Sequence, residues 1–362
     1  MRIAQVAPLY ESVPPQLYGG TERVVSFLVE ELVRQGHEVT LFASGDSRTS
    51  AELVPICPRS LRLDRGCVDS LAHHVVALEQ VCRRATDFDM IHFHVDYLHF
   101  PWSRRDRLRQ VTTLHGRLDI PDLVGVYREF PEMPVVSISQ AQRAPLAEAN
   151  FVGTVHHGLP LDLYECGQGR GGYLAFLGRC SPEKRVDRAI HIAERAGLPL
   201  KIAAKVDKAD TEYFDEAIRP LLAKPHVEFL GEIGEGEKNA FLGEALGVLF
   251  PIDWPEPFGL VMIESFACGT PVIAYPHGSV PEVMVDGITG FLCSQEDQAA
   301  LAAQHLGSLN RWACRSVFEQ RFSVRRMAQD YVRIYERLAR GEDGRVHSSR
   351  GEVLHPRDIA AS

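Results

Sequence analysis

At 362 residues, 45% hydrophobic and 24% charged, the chain has ordinary globular composition and is too long for one comfortable core, so two domains of roughly 150–180 residues are expected. A formal charge of −9 excludes general nucleic-acid binding, which needs a basic face against phosphates. No apolar run reaches bilayer length and the first residues lack the pattern of a signal peptide, so a cytoplasmic protein is expected.

Residues 3–8 read as a strand, followed by a Pro/Gly-rich loop through Gly19-Gly20. A helix over 21–35 then buries Val24, Val25, Leu28, Leu32 and Val33, Gly36-His37 ends it, and 39–43 is the next strand. Further strands are expected over 90–94, 111–114 and 135–139. Gly167, Gly169, Gly171 and Gly172 make a flexible passage and a candidate hinge. The rhythm then restarts with a strand over 173–177, a loop over 178–182, a helix over 183–196 and a strand over 200–204. This alternation is the signature of parallel α/β layers. Two doubly wound domains facing each other would bring both sets of strand C-termini to one cleft. Residues 323–340 form a last amphipathic helix with Met327, Tyr331, Ile334, Tyr335 and Leu338 on one side, and 341–362 read as a disordered tail. The expected division is 1–165, 166–322, a helix over 323–340 able to return to the first domain, and the tail.

The strongest local signal is the run from Asp253 to Val272, in which Glu256 and Glu264 stand eight residues apart with Pro257 and Gly259 marking a helix start between them. Two carboxylates so spaced can address different parts of one long ligand, and the amides of Phe258, Gly259 and Leu260 are free to donate at a helix N-terminus. A second signal is Gly178-Arg179 followed by Ser181-Pro182 and Lys184, two cations five residues apart at a strand-to-helix turn. Fixed cations there would stabilise negative charge developing on a departing oxygen. Tyr18-Gly19-Gly20 precedes the first helix, where glycine lets backbone approach phosphate or sugar closely. His115 ends the strand over 111–114.

Other groups read as structural. The eight cysteines are scattered without a C-x-x-C pair, so neither a disulfide framework nor a zinc site is expected. His92 and His94 share a strand face with Asp96 beyond, which superficially suggests a metal. His73-His74 is unremarkable. Residues 1–165 contain no lysine. The arginines Arg104, Arg105, Arg107 and Arg109 read as a solvated face, leaving at most a peripheral contact with a membrane or an anionic acceptor.

Taken together, the motifs resemble the retaining GT-B glycosyltransferases of family 4. The resemblance implies an α/β chain of two Rossmann-like domains, the first holding the acceptor and the second a nucleotide diphosphate sugar, with UDP-hexose favoured. It implies that Glu256 binds hydroxyls of the donor sugar, that Glu264 binds the ribose, and that Arg179 and Lys184 hold the diphosphate. Gly20 would face the donor across the cleft, and His115 would touch the sugar or the transition state. The segment from Gly278 to Phe291, with Glu282, would lie near the diphosphate. His157 departs from the family's Asn-Gly at that strand end. No metal or other cofactor is implied. Transfer with retention would follow a front-side displacement in which the leaving phosphate takes the acceptor's proton. The alternatives are another GT-B activity, such as a sugar-nucleotide epimerase or phosphorylase, and a non-catalytic nucleotide-sugar-binding protein.

Overall fold

The computed structural model describes residues 1–16 and 19–342. Tyr18 and residues 343–362 of the expected tail lie outside them. Seven strands build the first sheet: β1 (Arg2–Val6), β2 (Glu38–Ala43), β3 (Glu52–Pro55), β4 (Met90–Phe93), β5 (Gln110–Thr113), β6 (Pro134–Ser137) and β7 (Asn150–Thr154). Six build the second: β8 (Leu174–Arg179), β9 (Leu200–Lys205), β10 (Val227–Gly231), β11 (Gly247–Phe250), β12 (Val272–Ala274) and β13 (Gly290–Leu292). Every pairing in both is parallel. The orders are β3-β2-β1-β4-β5-β6-β7 and β10-β9-β8-β11-β12-β13. Each reverses direction beside its first strand, and that reversal opens a crevice at the strand C-termini. The chain is therefore α/β with two Rossmann-like domains.

Apolar periodicity explains the helices that frame the crevice. In α1 (Gly20–Arg34), Val24, Val25, Leu28, Val29 and Leu32 are buried against the first sheet. In α2 (Val186–Ala196), Ala189, Ile190, Ile192 and Ala193 are buried against the second. Other helices of the second lobe include α3 (Glu235–Gly243), α4 (Leu260–Ala267) and α5 (Arg311–Arg321). The last, α6 (Val324–Ala339), sends Met327, Tyr331, Ile334 and Tyr335 into the core of the first lobe.

Two local expectations change. The strand expected to stop at 177 continues, because Gly178 and Arg179 pair with Ala204 and Lys205 of β9. Arg179 is thus fixed on a strand end, not held in a loop. Lys184 lies in a single 3₁₀ turn, and the left-handed Arg185 (φ 55°) separates that turn from α2, which starts at Val186.

The glycine passage is also not flexible. Gly167, Gly169 and Gly171 donate their amides to Cys268, Gly243 and Glu244 carbonyls at 2.9, 3.0 and 2.8 Å. A Cβ on Gly167 would lie 2.2 Å from the Gly243 oxygen, so glycine here serves close backbone packing. Arg311 of α5 donates to the carbonyls of Gly167, Gly243 and Ala245 at 2.9–3.0 Å. The chain changes lobe elsewhere: Val155 packs in the first core and Leu159 in the second, Phe322 in the second and Val324 in the first. These two crossings are bonded to each other, Leu159 N to Phe322 O at 2.9 Å and Val324 N to Leu159 O at 2.8 Å.

Candidate active site

Both crevices open onto one cleft of about 760 Å³ between the lobes. Gly20 and His115 reach it from the first lobe, and Arg179, Lys184, Glu256, Phe258, Gly259, Leu260 and Glu264 from the second. The fold brings all of these sequence-selected residues to the same space. Gly20 opens α1, and a Cβ there would meet Leu260 Cδ1 at 3.6 Å, so the N-termini of α1 and α4 face each other across the cleft.

Each of the two glutamates is held by a lysine. Lys184 Nζ donates to the Glu256 carboxylate, which also accepts from Trp254 Nε1 at 2.7 Å. The ammonium stands 4.8 Å from the Trp254 ring centroid, a cation–π contact that fixes its direction. Gly278 supports this loop from beneath, for a Cβ there would lie 2.3 Å from Glu256 N. The Pro257–Gly259 turn ends in the left-handed Gly259 (φ 79°), and α4 starts one residue later.

Glu264 projects from α4 and accepts from Lys238 of α3 at 2.7 Å. Burial would raise the Glu264 carboxyl, but the charges of Lys238 and Arg23 outweigh it and hold it below the ordinary carboxylate range. Burial pulls the Lys238 ammonium down despite the same partner. Around them, Arg23 of the first lobe pairs with Glu235 of the second, and Tyr164 donates its hydroxyl to Glu235. Arg179 is steadied at the end of β8 by Glu183 at 2.9 Å and Asp207 at 3.7 Å. The second lobe thus offers the cleft a row of fixed cations interleaved with two oriented carboxylates, suited to a polyol joined to a diphosphate.

His115 follows β5, and burial brings its imidazole down to about 3, leaving the ring neutral. Its Nε2 lies 2.9 Å from His94 Nδ1. His157 stacks on His115 at 5.5 Å and meets the Phe258 ring edge-on at 4.8 Å. His157 thereby places an aromatic bridge between the lobes. His92 and His94 have all four ring nitrogens engaged by Thr113, Tyr335, Gln5 and His115. Among the described residues no group of three or more His, Cys, Asp or Glu could hold a metal ion.

Glu282 does not line the cleft itself. Its carboxylate accepts the Gln140 and Ala141 amides at 2.8 and 2.6 Å and contacts His156 Nε2 at 3.3 Å, tying the lobes together. Sequence reasoning missed Lys238, Trp254 and Arg23. Trp254, two residues before Glu256, carried a local signal; the other two reach the site only through tertiary packing. The Arg104 side chain is shared between Glu129 and Glu132, and all eight cysteines are free.

Two Rossmann-like lobes closing on such a cleft define a GT-B architecture, and comparisons with known proteins agree. The model for Glycosyltransferase Family 4 matches residues 18–190, and that for Glycosyl transferases group 1 matches residues 168–313. An uncharacterised 41.2 kDa protein in the cps region of Klebsiella pneumoniae is 28% identical over 169 residues, 45% of this chain and 46% of that protein. The D-inositol 3-phosphate glycosyltransferase of Mycolicibacterium smegmatis is 24% identical over 77% of this chain and 76% of its own length. Among solved structures, AviGT4, a glycosyltransferase involved in avilamycin A biosynthesis, superposes with a TM-score of 0.73 at 24% identity, covering 94% of this chain and 98% of that one. Anabaena Alr3699/HepE in complex with UDP and glucose gives 0.69 at 20% identity, covering 93% and 99%. The chain belongs to the family 4 glycosyltransferases of the GT-B fold. It is a transferase acting on a sugar donor. No helix among the described residues is long and apolar enough to cross a membrane.

Proposed function

We propose that this protein moves a hexose from a nucleoside diphosphate sugar, with UDP-hexose favoured, to an acceptor hydroxyl with retention at the anomeric carbon. The observation that carries the reading is the convergence of Glu256–Lys184, Glu264–Lys238 and Arg179 on one cleft. In it Glu256, oriented by Trp254, binds sugar hydroxyls, and Glu264 binds the ribose. Arg179 and Lys184 hold the diphosphate, and the amides of Phe258, Gly259 and Leu260 line its approach. Gly20 and His115 close the site from the first lobe, which would hold the acceptor, against the second, which would hold the donor. The bond from the anomeric carbon to the diphosphate breaks as the acceptor oxygen bonds to that carbon on the same face. The leaving phosphate takes the acceptor's proton, and the fixed cations stabilise the charge it accumulates in the water-poor cleft. The solved structure holding UDP and glucose in a related fold supports the choice of donor.

The test is UDP-glucose incubated in EDTA with and without a panel of saccharide and polyol acceptors. Glycosylated product with the α configuration of the donor is expected, at a rate unchanged by chelation because side chains neutralise the diphosphate. Conversion of the donor alone into another nucleotide sugar would make the protein an epimerase. A β-linked product would end the retaining mechanism, and loss of rate restored by magnesium would end metal independence.

A further inference from the structure

A buried chain of hydrogen bonds runs from the cleft to the last helix. His115 Nε2 is 2.9 Å from His94 Nδ1, and His94 Nε2 is 2.8 Å from Gln5 Oε1. Gln5 Nε2 is 3.2 Å from the Tyr335 hydroxyl, which is 2.7 Å from His92 Nδ1. His92 Nε2 is 2.7 Å from Thr113 Oγ1, and that hydroxyl donates to Tyr331 at 2.9 Å. Gln5, His92, Thr113 and Tyr335 are wholly buried, with Tyr331 and His94 nearly so. Burial keeps the three imidazoles neutral, so each ring carries one N–H and one lone pair.

An amide has a fixed polarity: its oxygen only accepts and its nitrogen only donates. With Gln5 Oε1 facing His94, the His94 proton sits on Nε2 and its Nδ1 must accept. Only an Nε2–H on His115 then completes the contact between the two rings. On the other arm, Gln5 donates to Tyr335, Tyr335 to His92 Nδ1, His92 Nε2–H to Thr113, and Thr113 to Tyr331. Every bond therefore donates in one direction, inward from the cleft, and no member faces two conflicting demands. Reversing one bond requires turning Gln5 over and moving the protons of all the others in concert.

We propose that Gln5 and His94 are positioning residues that fix His115 as its Nε2–H tautomer. Its Nδ1, which has no partner among the described residues, is thereby kept as a lone pair for a substrate hydroxyl. The tautomer follows from the hydrogen-bond chain alone; the hydroxyl partner rests on the sugar-transferring reading of the cleft.

The experiment is a long-range ¹H–¹⁵N correlation spectrum of the full chain with labelled histidines and no ligand, with His115 assigned from a His115→Asn spectrum. His115, His94 and His92 are expected to be protonated on Nε2. Gln5→Met strands a buried N–H on His94, which is costlier than a stranded lone pair, so both His94 and His115 should move toward Nδ1–H. Its kcat/KM for UDP-glucose should fall roughly 2- to 10-fold, the worth of one neutral hydrogen bond. Gln5→Glu, which keeps an oxygen facing His94, should restore the Nε2–H signature and most of the rate. An Nδ1–H tautomer on His115 in the wild type overturns the proposal, as does a Gln5→Met protein whose His115 remains Nε2–H. Failure of the wild type to turn over UDP-glucose would count against the donor assignment and leave the tautomer readout intact.

Discussion

Glu264 is a carboxylate kept charged in a place that by itself would neutralise it. Burial is overcome by Lys238 and Arg23, so its folded pKa lies below the ordinary value, and under the proposed function a donor's ribose would meet an ionised acceptor. Replacing Glu264 by Gln should weaken UDP binding by roughly 1.5–3 kcal/mol, about 10- to 100-fold in Kd. Titration calorimetry checks this, and an unchanged Kd would reject the ribose contact. The same change leaves Lys238 buried without its main partner, costing about 3–5 kcal/mol of stability by the behaviour of broken buried pairs. Because the folded pKa is depressed, the carboxylate's stabilisation is present above the ordinary carboxylate range and is lost as pH falls through the folded value. The wild type should therefore lose melting temperature in acid more steeply than Glu264→Gln. At this scale the sequence was readable where one local run brings side chains to the cleft, as with Glu256, Glu264, Arg179 and Lys184. Lys238, Arg23 and Gln5 were not, because their partners lie 26 residues away for Lys238, 212 for Arg23 and 89 and 330 for Gln5, and no local spacing encodes such pairings.

Among the elements, glycine decides more by closeness than by freedom. The alternation of strands and helices was legible because apolar period follows burial, and the two parallel sheets confirm it. The 167–172 passage was misread as flexible because composition does not distinguish a glycine that bends from one that lets two backbones touch. Gly278 makes the same point inside the site: it is left-handed (φ 60°), and an added Cβ would press on the Glu256 amide at 2.3 Å and carbonyl at 2.4 Å. Gly278→Ala should therefore displace Glu256, which lies 22 residues earlier, while leaving Glu264 in place. The expected outcome is a loss of up to about 10²-fold in kcat/KM, as for a misplaced catalytic group, with UDP affinity kept. Parallel loss of UDP affinity would mean that the substitution disturbs the whole lobe, not the Glu256 loop alone.

The two lobes touch at the cleft rim through polar groups: Arg23 with Glu235, and the Glu282 carboxylate with the Gln140 and Ala141 amides and His156. They are strung on the paired crossings at Leu159 and Ser323, where a Cβ on Gly158 would lie 2.4 Å from the Ser323 oxygen. Such a joint can bend while the rim contacts part, which is what admitting a donor and releasing a nucleotide require. Glu282 is the latch to remove, since one carboxylate gathers two amides and a histidine from the opposite lobe or crossing. Burial raises its carboxyl, but the His156 hydrogen bond and the two amides bring it below the ordinary value. The latch is therefore strong above the carboxylate range and fails as pH falls through the depressed pKa. Glu282→Ala should enlarge the radius of gyration in solution scattering without donor and raise KM for UDP-glucose, with saturating donor restoring the compact profile. Acidifying the wild type below the carboxylate range, while it remains folded, should open it in the same way and leave the variant unchanged. Scattering profiles identical for wild type and Glu282→Ala at neutral pH would show that the rim contact is incidental and that apolar packing along α1 and α4 sets the closure.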